Sequence, residues 1–185
     1  MKSALCVSFL QTPIGKIKVV QSCLGVKEII LDRDYNVFDG IINFKNDDFD
    51  VSVLSYNGPW HESTDGTVDW IKLFFAKGDK RKTMSRLPKI DNEIYSKDNF
   101  TGKVLRTLAT DVTHGKTVSY AQLAEMCESP KACRAVGQAM RANPIPLIVP
   151  CHRVIASNGT AGHYMSGKGD NIKKWLLDFE QKFPA

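Results

Sequence analysis

The sequence predicts a mixed α/β (α+β) protein with a small N-terminal antiparallel sheet-plus-helix domain and a C-terminal helix-turn-helix domain. Three observations support this prediction. The first thirty residues alternate β-rich runs with turns, whereas the C-terminal half carries apolar residues at helical spacing. A polar, basic stretch without periodicity, residues 77–88, separates the two halves. We therefore assign residues 1–90 to one domain and residues 91–185 to the other.

The N-terminal elements are predicted as a short meander followed by one helix. Strands are expected at residues 4–10, 16–20 and 26–31, with turns at Gly15 and Gly25. Residues 32–60 are mixed and polar and give only a weak assignment. Asp65 or Thr67 is expected to cap a helix that runs to Gly78. Its apolar positions at helical spacing are Val68, Ile71, Phe74 and Phe75.

The C-terminal domain should open with a helix over residues 101–114 and close with a second over 170–180. The first helix is expected to stop at Gly115, because glycine readily adopts the left-handed conformation after a helix. In the second helix Asp170 is the predicted cap, and its buried stripe consists of Ile172, Trp175, Leu176 and Phe179.

Two short helices between these form the helix-turn-helix candidate. Ser119 and Gln122 make a capping box that opens a helix ending near Cys127. Ser129 is the predicted cap of the next helix, with Pro130 in its first turn. That helix should end by Asn143, because the following proline disfavours helical geometry in the residue before it.

The second of these helices has two different faces. Arg134, Gln138 and Arg141 lie at i, i+4 and i+7, so they share one polar face. The opposite face is apolar and consists of Ala135, Val136, Ala139 and Met140. Small residues along the helix would let a bulky partner such as DNA approach closely. An ordinary amphipathic surface helix is the alternative interpretation.

Charge and cysteine content bound the function further. Residues 96–185 hold 12 Lys or Arg against 7 Asp or Glu, a net charge of +5, while residues 1–95 hold 13 of each. A basic half attracts phosphate, although many proteins without a nucleic-acid partner carry as much charge. Five scattered cysteines argue against a disulfide framework and favour a reducing compartment. No apolar run is long enough to span a membrane, and we expect a nuclear or cytoplasmic protein.

Cys151 is the strongest candidate for a reactive residue. It follows Asn143-Pro144-Ile145-Pro146-Leu147-Ile148-Val149-Pro150, in which three prolines restrict the backbone that leads to the thiol. A thiol must lose its proton to attack, and His152 and Arg153 are the adjacent base and cation. A direct contact between Cys151 and His152 would need a sharp turn or a bridging water. A buried structural cysteine beside an ordinary histidine is the alternative.

These motifs resemble those of the O6-alkylguanine-DNA alkyltransferases, also called methylated-DNA–protein-cysteine methyltransferases. The resemblance is carried by Asn-Pro-Ile-Pro-Leu-Ile-Val-Pro-Cys-His-Arg-Val after Arg-Ala-Val-Gly and Ser-Tyr-Ala-Gln-Leu-Ala at this spacing. It covers residues 100–180, and weaker similarity reaches Thr12-Pro13-Ile14-Gly15. It implies a ribonuclease-H-like N-terminal domain and a winged-helix-like C-terminal domain.

The resemblance also implies a direct-reversal DNA repair reaction. Cys151 would accept the alkyl group, His152 would be a water-linked base, and Glu180 would orient His152. Tyr120 would help rotate the target base out of the duplex and donate a hydrogen bond to it. Because no residue set would hydrolyse the thioether product, the protein should act once and be consumed.

The remaining implied roles concern DNA and the guanine pocket. Arg134 would fill the gap left in the duplex, and Asn143 would tie the recognition helix to the active-site turn. Other expected DNA contacts are Tyr120, Ala135, Gln138, Arg141 and Ser157. The Val154 backbone, Tyr164 and Ser166, with Asn143 and the loop at Ser157, would line the pocket. The expected partner of this monomer is double-stranded DNA containing O6-alkylguanine, with O4-alkylthymine left open, and no cofactor or membrane is expected.

The sequence departs from the family pattern at three places. Some members hold zinc with two Cys and two His; Cys6 and Cys23 are plausible counterparts, but Lys27 stands near where a His would fall. We therefore predict no metal. Gln138 occupies a position where glycine is common. The pocket loop reads Gly162-His163-Tyr164-Met165-Ser166-Gly167 and not Tyr-x-Gly-Gly.

Three other functions are kept as alternatives. An alkyltransferase-like module would bind and flip damaged guanine without transfer, although such relatives lack the acceptor cysteine. A cysteine hydrolase would use Cys151 and His152 through repeated turnovers. A helix-turn-helix regulator would bind DNA without reacting.

Overall fold

A computed structural model describes residues 4–31, 50–77 and 86–183, and these fall into two compact units that meet in the chain after Asp91. The mixed α/β fold predicted from the sequence is confirmed. Most of the polar stretch that separates the two predicted domains (residues 78–85) and most of the weakly assigned segment (residues 32–49) lie outside the described residues.

The N-terminal unit is a four-stranded antiparallel sheet with one helix. Its strands occur in the order β3-β2-β1-β4 across the sheet. The elements are β1 (Cys6–Thr12), β2 (Gly15–Ser22), β3 (Gly25–Leu31), β4 (Ser52–Asn57) and α1 (Glu62–Phe75). Alternate residues of β1 are buried, as expected for a strand in a sheet that buries one of its two faces. The weakly assigned segment therefore contains β4, which runs antiparallel to β1.

Helix α1 begins earlier than the sequence predicted. Asp65 and Thr67 were expected as caps, but the helix starts at Glu62 after His61. The Thr64 hydroxyl accepts a hydrogen bond from the His61 backbone N–H at 3.3 Å. A residue of the first helical turn thus provides the partner for the backbone N–H just before the helix. Thr67 is fully buried and receives a bond from the Gln21 amide at 2.9 Å, so it joins helix to sheet. The helix ends at Phe75, before the predicted Gly78.

The C-terminal unit is mainly helical. Its elements are α2 (Glu93–Ser96), α3 (Phe100–Asp111), β5 (Val118–Ser119), α4 (Tyr120–Met126), α5 (Cys133–Arg141), β6 (Val154–Ile155) and α6 (Asp170–Lys182). The two short strands pair in parallel. The core residues of α3 are Val104, Leu105 and Leu108, which are fully buried. The predicted capping box of Ser119 and Gln122 opens α4 and is confirmed.

Two predicted caps in this unit are wrong. Ser129 and Pro130 do not start α5; the Ser129 carbonyl instead closes a turn by accepting from Ala132 N–H at 2.9 Å. Glu128 adopts a left-handed φ of 58°, which turns the chain before the helix can begin. Asp170 is the first residue of α6 and does not cap it. Its carboxylate instead accepts the Tyr164 backbone N–H at 2.6 Å, so it holds the preceding loop.

None of the helices within residues 4–31, 50–77 and 86–183 combines the length and the apolar character needed to span a membrane.

Candidate active site

The segment that leads to Cys151 is held by hydrogen bonds as well as by prolines. The Asn143 amide donates to the Val149 carbonyl at 2.8 Å, and its oxygen accepts from Ile145 N–H at 3.1 Å. Leu147 is buried and adopts a positive φ of 76°, a strained conformation for a branched residue that the surrounding bonds maintain. Asn143 therefore connects the end of α5 to the backbone just before the thiol.

The Cys151 thiol lies in a closed environment. Cys151 is 8% exposed, and its Sγ lies 3.8 Å from the Tyr164 hydroxyl. Burial raises the pKa of the thiol, while hydrogen bonding to Asn143 and Tyr164 and the charge of Lys173 act in the opposite direction. Because burial dominates, the resting side chain is a protonated thiol that needs a base before it can attack.

His152, the predicted base, is fully buried. Residues Cys151–Arg153 form a 3-10 turn, so His152 departs from the extended geometry considered for the sequence. Its Nε2 lies 2.8 Å from the Glu180 Oε1 atom. Burial lowers the pKa of His152, and the Glu180 carboxylate opposes this shift. A carboxylate can only accept, so the neutral ring carries its proton on Nε2 and keeps its basic lone pair on Nδ1.

Glu180 is the centre of a buried hydrogen-bond network. Arg153 Nε lies 2.9 Å from Oε2 and Nη2 lies 2.8 Å from Oε1, while Gly115 N–H donates to Oε2 at 2.9 Å. Burial alone would raise the pKa of Glu180, but His152 and Arg153 together hold it well below its usual range. The carboxylate is therefore ionised, and it fixes the orientation of the His152 ring.

From the sequence, Arg153 was expected only as a cation beside the Cys151 thiol. In the structure its guanidinium is paired with Glu180, and its Nη1 donates to the Val112 carbonyl at 2.7 Å. Arg153 and Glu180 are far apart in the sequence, so their ion pair could not be inferred from the position of Arg153 near Cys151. Arg153 therefore holds the carboxylate that contacts His152.

Lys173 is a charged residue of the site that the sequence reasoning missed. It is 1% exposed, and its ammonium donates to the Val154 carbonyl at 2.7 Å. Its charge acts on both Cys151 and His152. A signal for it exists in the sequence: Lys173, Leu176 and Glu180 share one face of α6, so two charged residues lie beside the apolar stripe that was predicted as core.

The loop after β6 brings Tyr164 to the thiol. Tyr164 is 6% exposed, and burial raises the pKa of its hydroxyl well above the usual value, with a further contribution from Cys151. The loop is fixed by Asp170 and by Gly167 and Gly169 N–H groups that donate to the Tyr164 carbonyl at 3.0 Å. Of the two predicted pocket residues of this loop, Tyr164 is buried against Cys151, whereas Ser166 is exposed and has a φ of 61°.

Tyr120, the first residue of α4, is half-buried. Burial raises the pKa of its hydroxyl, the nearby Cys151 adds to this shift, and Arg141 opposes it. A Cβ atom built on Gly137 would lie 4.0 Å from the Tyr120 ring, which places the ring against α5. Tyr120 therefore stands between the thiol and the predicted recognition helix.

Helix α5 has the two faces that its spacing predicts. Arg134, Gln138 and Arg141 are exposed. Val136 and Ala139 are fully buried, whereas Ala135 is only partly covered. The helix therefore presents two cations and an amide to the exterior, beside the element that carries Tyr120.

Val154 and Ser157, both predicted near the guanine pocket, lie in different environments. Val154 is fully buried, and its carbonyl is bonded to Lys173. Ser157 is exposed and lines an open depression of about 300 Å³ with Ser119 and Gln122. The depression lies at the pair of short strands, next to the start of α4.

No metal centre is present among the residues that the structure describes: no group of three or more His, Cys, Asp or Glu side chains there could hold an ion. All five cysteines are free, with Cys6 buried and Cys23 exposed.

The chain is similar in sequence to proteins named methylated-DNA–protein-cysteine methyltransferase. A family profile of the 6-O-methylguanine DNA methyltransferase DNA-binding domain matches residues 99–182. The human relative is 32% identical over 172 residues, which cover 92% of this chain and 78% of the human protein. The mouse relative is 45% identical over 111 residues, which cover 60% of this chain. The chain thus spans about half of the mouse protein, 52%.

Solved structures give the same result. The crystal structure of Mycobacterium tuberculosis O6-methylguanine methyltransferase matches with a TM-score of 0.68 and 26% identity, over 98% of this chain and 95% of that chain. A second M. tuberculosis structure, crystallised in complex with DNA, matches with a TM-score of 0.65 and 26% identity, over 94% of this chain and 91% of that chain.

Proposed function

The chain belongs to the methylated-DNA–protein-cysteine methyltransferase family, and we propose that it repairs O6-alkylguanine by moving the alkyl group to Cys151 in a single turnover. The observation that carries this proposal is the buried Cys151 thiol followed by His152, whose ring is bonded to the ionised Glu180 at 2.8 Å. A nucleophile, a base and a group that orients the base are the parts that covalent transfer requires.

The substrate is double-stranded DNA. The exposed Arg134 and Arg141 on α5 and the net charge of +5 in residues 96–185 favour a phosphate backbone. A relative of the same fold has been crystallised with DNA, which agrees with this assignment. Arg134 would occupy the space that the rotated base leaves, and Gln138, Ala135 and Ser157 would make further contacts.

The damaged base must leave the stack before it can react. A thiol that is 8% exposed cannot reach the O6 substituent of a base that is still stacked in a duplex. Tyr120, between Cys151 and α5, would guide the base into the site. Tyr164 and the Val154 backbone would line the pocket that receives it, with Asn143 holding the turn below.

Transfer is a displacement at the alkyl carbon. The thiol proton moves through one water to His152, and sulfur forms a bond to the alkyl carbon as the carbon–O6 bond breaks. The electron pair of the broken bond goes to guanine, and a hydrogen bond from Tyr120 makes the base a better leaving group. The imidazolium of His152 then gives up its proton through water and the departing base gains one at nitrogen, so the products are unmodified guanine and a thioether at Cys151.

The resting state of the site is consistent with this order of events. Burial keeps Cys151 protonated, and burial also keeps His152 neutral, so the thiol and its base are in the states that proton transfer needs. Lys173 favours the thiolate once the proton has left. Single turnover follows, because a thioether is stable to hydrolysis and none of these residues would remove it. We further propose that the protein acts as a monomer in the nucleus or cytoplasm, where thiols stay reduced.

Intact-protein mass spectrometry tests the proposal directly. After incubation with duplex DNA containing O6-methylguanine, we expect one added methylene, localised to Cys151, in stoichiometric yield. Cys151→Ala should bind the same DNA without a mass change. Loss of the lesion without a mass change would refute transfer, and binding without loss of the lesion would favour a damage-binding module.

A second variant tests base rotation. Arg134→Ala should slow repair in duplex DNA by roughly ten-fold or more while reaction with free O6-benzylguanine changes little, because only the duplex has a gap to fill. Lys131→Ala, a neighbouring exposed cation outside the predicted set, is the matched control. Equal losses on both substrates would contradict a role in rotating the base.

A further inference from the structure

A second histidine, His114, contacts Glu180. Its side chain is 3% exposed, and its Nδ1 lies 3.5 Å from the same Oε1 atom that His152 approaches. Its Nε2 lies 3.1 Å from the Phe183 carbonyl oxygen, at the end of α6. The ring also stands edge-on to Phe179, with 6.3 Å between centroids.

His114 and Gly115, which are adjacent in the chain, both contact the Glu180 carboxylate. Gly115 N–H donates to Glu180 Oε2 at 2.9 Å, whereas His114 lies against Oε1. The segment after α3 thus contacts both oxygens, and His114 also reaches the carbonyl of Phe183 one turn further along the same helix. Movement of His114 would therefore be transmitted to Glu180, and from Glu180 to the ring of His152.

We propose that His114 is a positioning residue of the transfer reaction, which holds Glu180 in the orientation that aligns His152 with Cys151. This inference rests on the proposed alkyl transfer at Cys151. It adds to that function a residue outside the motif that surrounds the thiol.

The contact depends on the proton that His114 carries. Both ring nitrogens face oxygens that only accept, a carboxylate and a carbonyl, and a neutral imidazole can donate to only one of them. A protonated ring donates to both and suits the C-terminal end of a helix. Arg153 and His152 also contact this carboxylate, His152 through the same oxygen. A protonated His114 ring therefore holds Glu180 more firmly than a neutral ring does.

The experiment compares His114→Phe with His114→Gln in the full chain. Phenylalanine keeps the ring packing against Phe179 but has no donor, whereas glutamine keeps one donor. His61→Phe is the matched control, because His61 lies in the N-terminal unit and is only partly covered. Rates of Cys151 benzylation by free O6-benzylguanine are measured by intact mass from about pH 6 to about pH 8.5, the range that brackets histidine ionisation.

We expect His114→Phe to slow benzylation about three- to ten-fold near pH 6, as for the loss of one charge-assisted bond to a positioning group. The difference from wild type should shrink as pH rises, and His114→Gln should fall between the two. Affinity for undamaged duplex DNA should not change. A purely structural role would give the same factor at every pH, and that result, or wild-type rates, would overturn the proposal.

Two readouts keep this inference separate from the proposed function. If wild-type protein transfers no alkyl group, the proposed function fails, and carbamidomethylation of Cys151 by iodoacetamide over the same pH range still tests the role of His114. If His114→Phe does not fold, by circular dichroism, the pH dependence of His114→Gln relative to wild type decides the question.

Discussion

Replacing Glu180 with alanine should destabilise the C-terminal unit strongly. The carboxylate is 2% exposed and accepts from His152, Arg153 and Gly115. Without it, Arg153 keeps only its bond to the Val112 carbonyl and becomes a buried charge without a counterion. Breaking a buried ion pair in this way costs about 3 to 5 kcal/mol. An unpaired Gly115 N–H costs about 1 to 3 kcal/mol more if the cavity admits no water.

We expect a loss of about 4 kcal/mol, because these terms overlap and are not additive. That is a large part of the roughly 5 to 15 kcal/mol by which domains are stable. Glu180→Gln is the matched comparison: its amide oxygen can still accept from Gly115 or Arg153, so a loss of about 2 kcal/mol is expected. The transfer rate should fall in both variants, since His152 loses the carboxylate that orients it.

The assay is urea denaturation followed by the fluorescence of Trp175, which stacks on Phe179 in α6. Trp60 and Trp70 are replaced by Phe in every variant, so that the signal reports the C-terminal unit. Since the folded pKa of Glu180 lies below its unfolded value, its contribution to the free energy of unfolding is full above about pH 4.3 and is lost as pH falls through the folded pKa. A loss below about 1 kcal/mol for Glu180→Ala near pH 7 would refute the reasoning, because the carboxylate would then not be balancing a buried charge.

Three further changes test the surroundings of the thiol. Lys173→Met removes a buried cation that lowers the pKa of Cys151, so carbamidomethylation of Cys151 by iodoacetamide should slow about three- to ten-fold near pH 7. An unchanged rate would exclude a role in favouring the thiolate. Tyr164→Phe removes the hydroxyl 3.8 Å from Sγ and should slow the same reaction by a smaller factor, with circular dichroism unchanged; a faster reaction would show that the hydroxyl protects the thiol. Arg153→Lys cannot reproduce the paired bonds to Glu180, and its urea midpoint should correspond to a loss of about 2 kcal/mol; a wild-type midpoint would count against the importance of the guanidinium geometry.

The faces of α5 could be predicted from sequence because helical spacing is a local property. Arg134, Gln138 and Arg141 are exposed as their spacing requires, and Val136 is buried. The start of the same helix could not be predicted, since Ser129 and Pro130 have the residue types of a helix start. The left-handed turn at Glu128 depends on how α4 ends, and residue preferences alone do not reveal it.

Some contacts of the site could likewise be predicted from the sequence, and others could not. Family resemblance paired His152 with Glu180, and the structure brings these two groups to 2.8 Å. Arg153 was assigned to the thiol because it is close in sequence, yet its guanidinium lies on Glu180. His114 could not be placed from the sequence, because it follows α3 and its contact with Glu180 joins two separate elements. Lys173 shares a face of α6 with Glu180, but its bond to the Val154 carbonyl also joins two elements, and no local pattern predicts that bond.

Burial has opposite consequences for the two residues at the centre of the site, and this explains why the surrounding charges are needed. It raises the pKa of Cys151, which protects the thiol from adventitious electrophiles, and it lowers the pKa of His152, which keeps the base available. Proton transfer from sulfur to imidazole would then create two buried charges where none existed. Glu180 is already placed to stabilise the imidazolium, and Lys173 acts on the thiolate. If the protein reacts once, as proposed, it gains from this arrangement, because an exposed thiolate would be consumed by other electrophiles before it met its substrate.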